Sequence, residues 1–138
     1  MSGFTTEEIR EGRRRVGFRV ESASGDRAVL AHVDLPGPPR VGKYGVDLPA
    51  FERVALPAIT DPDGVVLIDE LGKMELASEP FRRTVSALFD RDLPIVATVH
   101  AFPHPFTDGL KQRPGIRRVR ISLANRDALP EELADLMA

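Results

Sequence analysis

Two adjacent acids close a short apolar run. Val65, Val66, Leu67 and Ile68 lead into Asp69 and Glu70, and Leu71, Gly72, Lys73, Met74 and Glu75 follow. The run comes straight after Thr60-Asp61-Pro62-Asp63-Gly64, a turn by its chemistry. Four apolar residues without polar alternation predict a strand buried on both faces, as in a parallel sheet. Open α/β sheets bind ligands outside the carboxyl ends of their strands, and the two acids stand at such an end. A carboxylate there can hold Mg2+ through water while the ion grips the oxygens of a triphosphate. A second carboxylate can polarise or deprotonate an attacking water. On this reading Asp69 is the metal-directed residue and Glu70 the general base. The plain alternative is a pair of acids ending a strand on a solvated surface, and the pair by itself does not separate the two.

Other side chains could join them. Lys73 follows the acids on a loop opened by Gly72, within reach of a phosphate or of Glu70. Thr98 and His100 end a second apolar run, residues 94–99, and a parallel sheet would set them near Asp69. They could sense a γ-phosphate or simply cap the strand. His100 and His104 are four apart, but Pro103 and Pro105 argue against the helix on which that spacing would make a metal pair. Arg10, Arg13, Arg14 and Arg15 could meet a triphosphate, RNA or acidic side chains. Glu7, Glu8 and Glu11 are interleaved with them, which favours a solvated charged surface. Arg117, Arg118 and Arg120 read the same way.

The elements that must position these groups follow from pattern. Residues 15–21 and 27–33 read as strands, joined through Gly25 into a hairpin. The prolines of residues 34–39 predict a loop. Asp47 and Pro49 open a helix whose buried positions are Phe51, Val54, Ala55, Ala58 and Ile59, with Pro57 expected to kink or end it. Ser78, Glu79 and Pro80 open another, with a stripe of Phe81, Val85, Leu88 and Phe89. This second helix lies between the two apolar strands, which makes a βαβ unit with a right-handed crossover. Residues 117–123 read as a further strand and residues 130–137 as a closing helix. The class is α/β with a hairpin inserted early.

Composition sets the outer limits. A chain of 138 residues suits a single domain over residues 1–138. Lysine and arginine total 19 against 21 acids, a net charge of −2 that argues against nucleic acid as a partner. Cysteine is absent, which excludes disulfides and thiolate metal sites and suits a reducing compartment. No apolar stretch is long enough to cross a membrane, and the first residues carry no charged-then-apolar leader. The expectation is a cytoplasmic protein without membrane contact.

The segment Leu67-Ile68-Asp69-Glu70-Leu71-Gly72-Lys73-Met74-Glu75 resembles the signature of a small nucleoside-triphosphatase family, known from thermophiles and in humans as the cancer-related nucleoside-triphosphatase. Residues 3–18, 40–47 and 55–57 and Asn125-Arg126-Asp127 are similar to other stretches of that family, in family order and across nearly the whole chain. The resemblance implies a P-loop NTPase of RecA-like, three-layer α/β architecture. It implies slow, Mg2+-dependent hydrolysis of ATP, GTP and other nucleoside triphosphates to diphosphate and phosphate. It makes Asp69 the Walker-B acid and Glu70 its catalytic neighbour. The family's nucleotide-contacting stretch falls on Val65, Val66, Leu67, Ile68, Asp69, Glu70, Leu71 and Gly72, with Lys73 beside it. The apolar members of that stretch are expected to be sheet core. Asn125 and Arg126 would touch the nucleobase or ribose, unless they simply begin a helix.

One family element has no counterpart. A phosphate loop of the form G-x-x-x-x-G-K-[ST] does not occur: Gly42-Lys43 is followed by Tyr44, and Gly72-Lys73 by Met74. The resemblance places Met1 after the family's first strand, phosphate loop and first helix. Without the loop no row of backbone N–H groups cradles the β-phosphate. The expectation is an N-terminally incomplete domain with impaired hydrolysis, either truncated or naturally short. Two strand edges would lie unpaired, on residues 95–99 and 117–123, and would invite self-association. A non-catalytic binding module on the same fold is the alternative. A nucleotide kinase is a weaker one, since no acceptor pocket is recognisable.

Overall fold

The computed structural model describes residues 1–120 and 131. The chain divides into two units, Met1–Ala101 and Phe102–Ala138. The first holds β1 (Ser2–Glu11), β2 (Arg14–Ser22), β3 (Arg27–His32), β4 (Arg40–Val41), β5 (Tyr44–Val46), α1 (Leu48–Thr60), β6 (Val66–Leu71), a 3-10 turn (Glu75–Ala77), α2 (Glu79–Phe89) and β7 (Ile95–Val99). In the second, the described residues form one helix, α3 (Pro105–Lys111).

β1 joins the two halves of the sheet. The strand order is β4-β5-β3-β2-β1-β6-β7. Ser2, Gly3 and Phe4 of β1 pair in parallel with Val66, Leu67 and Ile68 of β6. The rest of β1 pairs antiparallel with β2, which pairs antiparallel with β3. β6 and β7 are parallel neighbours with α2 between them in sequence, the expected βαβ unit. At the β1–β6 junction the backbones approach so closely that a Cβ on Gly3 would stand 1.8 Å from the Leu67 carbonyl oxygen. Gly3 also takes φ +107°, a region open mainly to glycine.

The core sits where β1, α1 and α2 converge. Phe4, Phe51 and Phe81 come one from each and meet edge to face, with centroids 5.7, 5.8 and 5.0 Å apart. All three are essentially sealed from water. Burying each contributes roughly 1.5–3 kcal/mol, and the edge contacts add to that. Local chemistry starts both helices as the sequence suggests. The Asp47 carboxylate accepts from the Ala50 N–H at 3.0 Å, and the Ser78 hydroxyl oxygen accepts from the Phe81 N–H at 3.2 Å. Ser78 also donates to Glu52 at 2.6 Å, which ties the start of α2 to α1.

Several expectations are corrected. β1 is a full strand that the pattern of residues 2–11 does not announce, and β4 and β5 form a further small hairpin turned at Gly42. Pro57 neither ends nor bounds α1, which continues to Thr60. The backbone bond it removes is outweighed by the buried face of Phe51, Val54, Ala55 and Ile59. β6 is sealed at Val66 and Ile68 but only half-buried at Leu67, as is Val65 just before it. β7 is half-buried rather than sealed, because among the described residues it has β6 as its one neighbour. Residues 117–120 take no regular structure. The remainder of that expected strand, Asn125, Arg126 and Asp127, and the closing helix apart from Glu131 lie outside the described residues.

Candidate active site

The carboxyl end of β6 carries the acids. Register with β7 slips between Ile68 and Leu71, and Asp69 and Glu70 occupy the slip. Both are half-buried. The strands close again when the His100 N–H donates to the Leu71 carbonyl at 3.4 Å. Thr98, on β7, donates its hydroxyl to Asp69 Oδ1 at 2.7 Å. This hydroxyl thus orients the Asp69 carboxylate, a contact the sequence alone did not suggest.

Past the acids the chain turns inward. Leu71 and Gly72 are buried, Lys73 is exposed, and Glu75 is 4% exposed. A Cβ on Gly72 would stand 3.1 Å from Glu70 Oε1 and 3.1 Å from Glu75 Oε1. The two carboxyls therefore flank the same glycine, their oxygens no farther apart than twice that distance. Burial raises the Glu70 pKa, and the charge of Asp69 raises it further. Burial pushes Glu75 up to about 8, with Glu70 and then Asp69 adding repulsion and its own backbone N–H partly opposing them. Glu75 Oε2 is buried without a hydrogen-bond partner. Glu75 is the site residue that sequence reasoning passed over. Its only signal was an acid set between Met74 and Leu76 where the turn heads back to the core.

The donor set suits Mg2+ of the substrate-sharing kind. Among the described residues no three His, Cys, Asp or Glu side chains converge to hold an ion by themselves. Mg2+ keeps several waters and takes one or two carboxylates plus phosphate oxygens, so a single oriented carboxylate such as Asp69 fits it. His104 belongs to different work. Its Nδ1 accepts from the Phe106 N–H at 3.1 Å and caps α3. A groove of about 390 Å3 lies elsewhere, between α1 and α2 and lined by Thr60, Thr84, Arg83 and Arg91 among others. None of the three acids lines it.

Comparison with known proteins bears on the fold and the family. The model of a family described as NTPase matches residues 1–134. The chain is 38% identical over 134 residues to the nucleoside-triphosphatase THEP1 of Thermotoga petrophila, covering 95% of this chain and 75% of that protein. It is 37% identical over 145 residues to the cancer-related nucleoside-triphosphatase of Homo sapiens, covering 94% and 76%. The crystal structure of THEP1 from Aquifex aeolicus superposes with a TM-score of 0.88 at 32% identity, over 99% of this chain and 83% of that one. The α/β fold is thus the one the resemblance implied, that of the P-loop NTPases. Matched over nearly its whole length by the family model and by relatives of this similarity, the chain belongs to the NTPase family.

Proposed function

We propose that this chain carries the water-activating half of a Mg2+-dependent nucleoside-triphosphate hydrolase that acts on ATP, GTP and related triphosphates, releasing phosphate and leaving the diphosphate. The observation that supports this most is a single one: Asp69, held by Thr98, stands beside the half-buried Glu70 at the end of β6. The bound ion would neutralise charge on the triphosphate oxygens. Glu70 takes the proton of the attacking water at its carboxylate. Its raised pKa brings it nearer the operating pH, where a general base is most effective. Thr98 fixes one oxygen of Asp69 and leaves the other for the ion or its water. Lys73, exposed just past the acids, is assigned to a phosphate, and His100 follows the neighbouring strand end. The apolar side chains of Val65, Val66, Leu67, Ile68 and Leu71 serve the sheet rather than the nucleotide. Asn125 and Arg126 are assigned to the base or ribose on the family pattern alone.

The 138 residues hold no phosphate loop, so hydrolysis by this chain alone is weak. Phosphate release from ATP and GTP, with and without a grafted phosphate loop, tests this. Low release that rises with the graft supports the proposal, and full release by the chain as it stands refutes the role given to the loop. In the loop-bearing version, Glu70→Ala should abolish hydrolysis and spare nucleotide binding. No change in either would instead favour a non-catalytic module. We assign the chain to the cytoplasm. Among the described residues no helix is long and apolar enough to cross a membrane.

A further inference from the structure

We propose that Glu75 is the positioning residue of Glu70: its neutral carboxyl, sealed behind Gly72, donates a hydrogen bond to the Glu70 carboxylate and holds it toward the water. The inference rests on the reading of Glu70 as general base. Three observations carry it. Glu75 is nearly sealed, and its Oε2 has no partner. A buried ionised carboxylate without a partner is costly, whereas a neutral one needs only an acceptor. Second, the groups that act on it from β6 are themselves acids, Glu70 and Asp69. On the neighbouring helices, Glu52 accepts from Ser78 and Arg82 donates to the Leu76 carbonyl. Third, Gly72 has no side chain between the two carboxyls, and any Cβ there would crowd both oxygens at 3.1 Å. Each Oε1 lies 3.1 Å from that one point, so rotation of the two side chains would bring donor and acceptor together.

Two measurements test this, the first on the full chain. In the first, glutamate carboxyl carbons are labelled with 13C, and the Glu70 signal is identified by its loss in Glu70→Gln. Glu75→Leu and Gly72→Ala should displace the Glu70 signal, and Glu75→Gln, which keeps an N–H donor, should displace it less. A Glu70 signal indifferent to all three variants overturns the proposal. Glu75→Gln also keeps the test open if the leucine variant fails to fold. In the second, phosphate release from MgATP is followed in the loop-bearing version. Glu75→Leu should lower kcat roughly 10–100-fold with KM little moved, the usual cost of losing an outer-shell partner, and Glu75→Gln should recover most of it. An unaltered kcat in Glu75→Leu overturns the positioning role. The two failures are distinguishable. If Glu70→Gln leaves hydrolysis intact, Glu70 is not the base and Glu75 has nothing to position, whatever the carboxyl signals show. If hydrolysis depends on Glu70 but its signal ignores Glu75, the base stands and the positioning role falls.

Discussion

A carboxyl that is charged in the unfolded chain and neutral in the folded one makes stability depend on pH. Glu75 is such a group. Its folded pKa is raised to about 8 from an ordinary value near 4.5. The folded state therefore holds the proton more tightly. The stabilisation this provides is complete below about pH 4.5 and is lost as pH rises towards about 8. Glu75→Gln removes the titration. Thermal unfolding should show the variant close to the parent at acid pH and clearly more stable at about pH 8. A difference that does not change with pH would contradict the assignment. Thr98 supports a second prediction at this scale. Thr98→Val deletes the donor to Asp69 Oδ1 and costs about 1 kcal/mol of stability. It should raise the Mg2+ concentration needed for half-maximal phosphate release roughly 10–100-fold. The acidic pair was legible in the sequence because it interrupts an apolar run. Glu75 was not, because its meaning depends on a fold-back at Gly72 that brings its carboxyl and that of Glu70 to the same glycine.

At the scale of elements, local chemistry was legible and non-local pairing was not. Asp47 and Ser78 cap their helices as their residue types suggest, since a cap is decided within four residues. β1 escaped because Thr5, Thr6, Glu7 and Glu8 give no apolar alternation. Its partners are β2, through the turn at Gly12, and β6, more than fifty residues away in the chain. The usable signal was small: Gly12 between Glu11 and Arg14, and β-branched residues at Thr5, Thr6 and Ile9. Phe4, Phe51 and Phe81 join the helical layer to the sheet, so Phe81→Ala should cost about 3–5 kcal/mol. Denaturant unfolding measures this, and a loss under about 1 kcal/mol would contradict it.

For the whole molecule, the sheet order sets where chemistry can occur. β1 and β7 flank β6, which carries the acids, and the antiparallel hairpins continue the sheet beyond β1. Among the described residues the outer edge of β7 has no strand beside it. Such an edge templates pairing with another chain. Sedimentation should therefore detect concentration-dependent self-association of these 138 residues, and a monomer at every concentration would contradict the expectation. The net charge of −2 offers little repulsion against it. The central claim is that Glu70, beside Asp69 at the end of β6, activates water on a triphosphate. The most direct measurement is phosphate release from MgATP by the loop-bearing version, compared between the parent and Glu70→Gln. A fall of roughly 100–10,000-fold with nucleotide binding retained is the predicted result. Release that continues at the parent rate would contradict it.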